Sequence, residues 1–313
     1  MPPAAPPAYT RPDWKLACGL TVAAVLFGFS DGLAGLVRVW ATRADYSHGF
    51  LVVPFAAYLL WTRRAAFPAV RTYPDPVGLL FLLPAVALFV AAGVTNMAKE
   101  GAQGLATIVA LAGVVVMFCG RWPGLGWAWP GLGFLLFTLP PPNFVENTIS
   151  LKLRDFATAA GTFSFQTLGL PAYSEGNRIL IGDTVLEVAR ACGGLSMLLT
   201  FVALAAGLAL LMTGRHWVDR VLVVAAAAPI ALACNVVRIV VTGLVYHAGW
   251  TKLGDLVIHD LAGWLMMPLA LGLLWAVVKL IDWIAEPVDR LDTAAALNLP
   301  STRRDGLPVM RVR

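Results

Sequence analysis

Charge is what this sequence has least of. Only 13% of its 313 residues are charged, 59% are hydrophobic, and the mean hydropathy is +0.76. An ordinary soluble domain carries roughly a quarter charged residues, so composition excludes a set of soluble domains and indicates a polytopic membrane protein. Histidine is scarce too: His48, His216, His247 and His259 fall at no paired ligand spacing, and no metal motif is recognisable. Phosphate cradles and a serine-hydrolase elbow are absent. With a net charge of only +5 and no basic stripe interleaved with aromatics, no nucleic-acid partner is expected. Of four cysteines, Cys18, Cys119 and Cys234 lie inside apolar runs, where thiols pack as small hydrophobes, so disulfides do not define the fold. No cofactor is implied. No cleavable signal peptide is evident, because Met1 to Pro12 is a Pro/Ala tail and the first apolar run is long enough to stay as an anchor.

What is present is a series of apolar runs, enough for about eight spans of roughly 20 residues. They are Lys15 to Val37, Asp45 to Trp61, Val77 to Val94, Gly101 to Cys119, Gly124 to Leu139, Leu195 to Met212, Val221 to Tyr246 and Leu261 to Ile281. The expected fold is all-α, with residues 1–13 and 283–313 as cytoplasmic tails and 14–282 as one membrane domain. Pro140-Pro141-Pro142 stops the fifth span, and residues 140–192 form a polar insert. Within it Val145, Ile149, Leu153, Phe156, Ala160 and Phe163 recur at three and four, opposite Lys152, Arg154 and Asp155. That pattern predicts an amphipathic helix on the membrane surface or against the bundle. Arg178–Ile181 and Thr184–Val188 flank Gly182-Asp183, a two-residue β-hairpin signal.

Lys and Arg in the short loops orient the chain. With both termini in the cytoplasm, Arg63, Arg64, Arg71, Arg121, Arg215, Arg220 and Lys279 all fall inside. The insert and the loop before His259 then fall outside. This puts the mouth of the sixth span, the end of the seventh and the start of the eighth on one outer side.

Three polar groups converge there. Cys192 sits where the insert meets the sixth span, and a thiol becomes a nucleophile only as thiolate, which a helix N-terminus and nearby guanidinium charge favour. Arg190 and Arg238 can supply that charge, and Gly193 and Gly194 leave room for a substrate backbone. Arg238 lies about 12 Å below Tyr246 at the helical rise, too deep to snorkel easily, with Asn235 and Thr242 on its face as hydrogen-bonding support. His259 is a candidate base, with Asp260 beside it to orient it or to cap the last span, and His48 is a second candidate base with Tyr46 near it. A Cys/His pair with a fixed cation describes an acyl-transfer site.

Asp45-Tyr46-Ser47-His48-Gly49, Ala191-Cys192-Gly193-Gly194, Asn235-Val236-Val237-Arg238 and His259-Asp260-Leu261-Ala262-Gly263-Trp264 stand in this order, and over residues 14 to 282 the chain resembles the exosortase/archaeosortase family. That family usually has serine after the thiol, where this chain has Gly193 and no hydroxyl. The resemblance implies a cysteine transpeptidase of the bacterial cytoplasmic membrane. Its substrates would be exported proteins with a PEP-CTERM-like tail: a short motif, a membrane helix and a basic cluster. It further implies that Cys192 attacks the substrate carbonyl, His259 exchanges protons and Arg238 stabilises the oxyanion. The acyl group then passes to an acceptor, such as an extracellular polysaccharide or a lipid. Two other readings stand beside it. One is an intramembrane cysteine protease using water; the other is an export component for polysaccharide or lipid-linked sugar, in which Cys192 is incidental.

Overall fold

The computed structural model describes residues 14–69, 74–96, 98–188, 194–250 and 262–284. Among these are ten α-helices and one small antiparallel sheet, as expected of an all-α membrane chain with a β element in its insert. Three helices are long and apolar enough to cross a membrane: Pro76–Thr95, which contains α4 (Leu79–Thr95), α5 (Lys99–Cys119) and α9 (Trp217–His247). A fourth arises if α1 (Trp14–Gly28) and α2 (Ser30–Thr42) are one broken span.

That break corrects the first expected span, which ran unbroken to Val37. The two helices bend by 62°. The kink falls at Gly28-Phe29-Ser30, a small-residue pair of the kind that interrupts a helix, and Phe29 turns inward to meet the edge of Phe89 at 4.7 Å between centroids. The second apolar run is also short: α3 (Gly49–Thr62) has 14 residues, about 21 Å against a hydrocarbon core of about 30 Å. α6 (Arg121–Leu135) starts three residues before the expected fifth span and passes into a tight turn at Leu136–Thr138 before the three prolines.

Apolar contacts join these elements around separate cores. Val25, Ala110, Val114 and Phe118 close α1, α4 and α5, with Cys119 in the same cluster. Val52, Leu59 and Phe134 join α3 to α6. Met197 and Phe201 of α8 (Leu195–Leu211), Ala227 and Cys234 of α9, and Leu274 of α10 (Ala262–Ile284) form a third. The buried positions of Cys119 and Cys234 fit their reading as packing residues.

The insert builds onto the end of α9. α7 (Asn143–Thr167) leads to three strands, β1 (Ala172–Glu175), β2 (Arg178–Ile181) and β3 (Thr184–Glu187), in the order β1-β2-β3. The expected hairpin is β2–β3, with Ile181 opposite Thr184 across Gly182-Asp183. β1 was not expected, although Gly176-Asn177 is itself a two-residue turn signal and Gly176 takes φ +60°. Ile179, Ile181, Leu186 and Val188 bury against Phe165 of α7 and Ile239 of α9.

α7 is amphipathic, but its apolar face points the other way from a soluble helix. Phe156 and Phe163 are 50% and 69% exposed, while Glu146, Ser150, Ala157, Thr158, Gly161, Thr162 and Phe165 are buried. Arg154, which the sequence groups with the polar side, has its Nε buried. Lipid explains the inversion, since acyl chains are as apolar as Phe, and small or polar residues then mediate helix contact. Gly161 meets Ile239, and Phe165 lies over Gly243.

A Cβ at residue 243 would come within 2.4 Å of the Phe165 ring, which is fully buried and has nowhere to go. Gly243→Ala is therefore expected to destabilise the packing of α7 by about 1–3 kcal/mol. A lower thermal midpoint together with faster proteolysis within residues 140–188 would bear this out; an unchanged midpoint would contradict the contact.

Candidate functional site

Cys192 and Arg190, with Gly193, and His259 with Asp260, lie outside the described residues. The described residues of the motifs form two walls that meet at the mouth of α8.

The first wall is residues 43–49. Arg43, just past the end of α2, pairs with Glu146 in the first turn of α7, and its guanidinium lies 4.7 Å from the centre of the Tyr46 ring. The Tyr46 hydroxyl donates to the other Glu146 oxygen at 3.2 Å. Tyr46 is only 1% exposed, packed with Leu36 and Trp40 of α2 and against Leu199 of α8. Burial, then the neighbouring Glu146 charge, holds its phenol far above the ordinary range, so it stays a donor. His48 lies immediately before α3, with Nε2 at 3.1 Å from the Phe137 carbonyl. A carbonyl only accepts, so Nε2 carries the proton. Burial lowers the His48 pKa, opposed by backbone hydrogen bonding at Phe137 and Asp45 and by the Asp45 charge. Gly49 completes the motif for a steric reason, because a Cβ there would come within 2.6 Å of the Trp40 indole. That indole donates to the Thr138 carbonyl at 3.0 Å.

The second wall is α9. Asn235 and Thr242 are buried and Arg238 is half-buried on the same side of the helix. Gly194 caps α8 with φ +87°, and a Cβ there would sit 3.0 Å from the Asn235 amide nitrogen. Both the backbone angle and the contact require glycine. Three of the four motifs thus meet: Gly194, two residues from Cys192, touches Asn235, and one turn into α8 Leu199 packs on Tyr46.

Arg43 and Glu146 were missed from sequence. Glu146 carried a signal, as a lone acid in the first turn of a helix opened by prolines, where it also complements the helix dipole. Arg43 carried none, because one more arginine at a helix end reads as an interfacial charge.

The model of the transmembrane exosortase family matches residues 40–276, well over half of the chain. No curated protein and no solved structure matches.

Glu146→Ala is expected to cost about 1–3 kcal/mol, chiefly from a buried phenol left without its acceptor. Arg43→Ala costs less, since the arginine is more than a third exposed and water screens its charge. Thermal denaturation of the two variants side by side checks the order, and an Arg43→Ala effect equal to or above that of Glu146→Ala contradicts it. His48 predicts a pH effect. Its folded pKa is lowered, so the unfolded chain binds the proton first, and stability falls as pH drops below the ordinary histidine value of about 6.5. The slope of thermal midpoint against pH should flatten in His48→Gln; an unchanged slope would assign it to other groups.

Proposed function

The chain belongs to the transmembrane exosortase family, membrane enzymes of protein sorting, and we propose that it is a cysteine transpeptidase acting on the C-terminal sorting signals of exported proteins. The observation that carries this reading is the seat of Gly194 on Asn235. Gly194, two residues after Cys192 in sequence, lies against Asn235, one turn before Arg238 on α9.

The chemistry needs a thiolate, a proton carrier and a stabiliser of negative charge. Cys192 attacks the scissile carbonyl and its electrons pass to the carbonyl oxygen, where the Arg238 guanidinium meets the growing charge. Collapse forms a thioester and breaks the C–N bond, and the leaving amine takes its proton from His259. His259 then accepts a proton from the incoming nucleophile, which attacks the thioester and expels the Cys192 thiolate, restoring the thiolate with a protonated His259. His48 is less suited to that task, since its Nε2 is held by the Phe137 carbonyl. It and Tyr46 position the wall opposite Arg238. Asn235 supports the thiol segment, Arg190 adds positive charge near the thiolate, and Asp260 orients His259. With Gly193 in place of a serine, no hydroxyl assists the oxyanion from that position, which leaves more of the task to Arg238.

In this reading the membrane domain spans residues 14–282 of the bacterial inner membrane, both termini are cytoplasmic, and the site faces outward. The substrate carries a PEP-CTERM-like tail with a short motif, an apolar helix and a basic cluster. The acceptor is an extracellular polysaccharide or a lipid.

A tail-bearing exported reporter, co-expressed with the enzyme, tests this on an immunoblot. Wild type is expected to shorten or shift the reporter and Cys192→Ala to leave it intact. Arg238→Gln should lower processing by roughly 100- to 1000-fold, the usual loss for one oxyanion donor. Processing by a correctly inserted Cys192→Ala protein would sink the proposal. Shortening without an added acceptor mass would turn it toward hydrolysis.

A further inference from the structure

Away from the site, four helices leave a cavity of about 390 Å³ between them. Cys18 and Val22 of α1, Ala57 and Leu60 of α3, Cys119 of α5 and Leu132 of α6 line it. Its α6 wall runs from residue 127 to residue 135, about 12 Å at the helical rise. Volume over length gives a mean cross-section of about 30 Å², too narrow for another helix, which is about 10 Å across with its side chains. Val53 and Phe67 on the rim are 43% and 46% exposed, so the cavity opens sideways to the lipid.

The lining offers nothing to a polar ligand. The Trp127 indole N–H donates to the Arg63 carbonyl at 3.0 Å, and the two thiols pack as small hydrophobes. Charge begins at one end. Between Leu60 and Phe67, both in the lining, the chain turns through Arg63 and Arg64. Arg63 donates to the Gly126 carbonyl at 2.9 Å, and Phe67 closes the turn edge-on to Trp127 at 4.9 Å between centroids. Arg64 lies 4.6 Å over the Trp61 ring and donates to the Trp61 carbonyl at 3.1 Å. Each arginine spends one of its five N–H groups in these bonds, and neither makes an ion pair among the described residues. Asp75, held by the Met117 carbonyl at the same end of α5, is buried and accepts from the Val77 amide. Membrane orientation accounts for basic residues at a helix end, but it does not require that they be fixed beside a cavity.

A narrow apolar slot with two held cations at one end is complementary to an amphiphile with a hydrocarbon chain and an anionic head. We propose that the cavity binds one anionic phospholipid, with an acyl chain between α1, α3, α5 and α6 and the phosphate at Arg63 and Arg64. The acyl chain fills volume that would cost packing if left empty, and the guanidinium groups meet the negative head where the slot reaches the membrane surface. Bound there, the lipid joins α1 to the α3–α6 pair and stabilises the folded bundle by mass action. The inference is independent of the transpeptidase reading.

The test uses the full-length protein, purified in detergent and freed of native lipid. Native mass spectrometry reads binding of dioleoyl phosphatidylglycerol and of dioleoyl phosphatidylcholine, which share acyl chains and differ in head charge. The expected result is one phosphatidylglycerol bound with a Kd roughly 30-fold below that of phosphatidylcholine, about five-fold for each arginine near a lipid head. Arg64→Gln, which leaves the Arg63 tie to Gly126 in place, should reduce the preference to about five-fold. Adding Arg63→Gln should bring it to parity, with the phosphatidylcholine Kd unchanged. Ala57→Phe fills the slot and should weaken both lipids about ten-fold, the worth of roughly two buried methylenes. The thermal midpoint of that variant without lipid should stay level or rise, because a cavity is filled. Equal affinity of the wild type for the two lipids would overturn the site, as would a preference that survives the loss of both arginines. Binding that ignores Ala57→Phe in a folded protein would put the acyl chain elsewhere and overturn it too.

Discussion

In an apolar surround a polar side chain has to find another polar group, and the architecture follows from that requirement. Lipid offers no hydrogen bonds, so polar groups gather inward while Phe and Leu face out. α7 shows the rule in part, with Phe156 and Phe163 outward and Glu146, Ser150, Thr158 and Thr162 buried toward the bundle. The same rule makes Asn235, Arg238 and Thr242 share one side of α9. These inward polar faces meet at the mouth of α8, where the proposed functional centre lies. No apolar helix has to be broken to make it.

Glycine lets those faces approach. Gly194 on Asn235, Gly49 on the Trp40 indole, and Gly243 under Phe165 each bring two elements closer than any side chain would allow. The first two lie within motifs to which the proposed chemistry is assigned, which fits stretches that combine glycine with polar residues. Close backbone approach and reactive side chains are needed at the same points. Arg43 and Glu146 tie the start of the insert to the same region from the far side, so α7 is fixed at both ends: by an ion pair near Glu146 and by ring-on-glycine packing near Phe165.

Much of this was legible in the sequence, for reasons that can be named. Apolar run length gave α4, α5 and α9 to within a few residues, because in lipid the length of a helix and its composition are one constraint. Gly182-Asp183 gave the β2–β3 turn through backbone angles that few residues adopt. The motifs pointed to Asn235, Arg238, Tyr46 and His48 because polar residues at apolar helix ends are rare. What stayed hidden was relational. Nothing at Phe29 alone announces a 62° bend, since a ring finding Phe89 is a tertiary event. The amphipathic pattern of α7 placed it on the membrane surface or against the bundle, and which of its sides turns inward is settled only by packing on α9 and the sheet. Arg43 and Glu146 are 103 positions apart, and no local pattern links them.

Unsatisfied polar atoms are distributed unevenly along α7, and the unevenness carries meaning. At its first turn Glu146 is saturated by Arg43 and Tyr46, and near its end Ser164 and Thr167 bond their own backbone. Between these ends Arg154 Nε and the Thr158 and Thr162 hydroxyls have no partner among the described residues. A helix held so well at both ends can carry a local cost in its middle, because the anchors offset it. A mostly Ala or Leu face at the same positions would have packed α7 more stably.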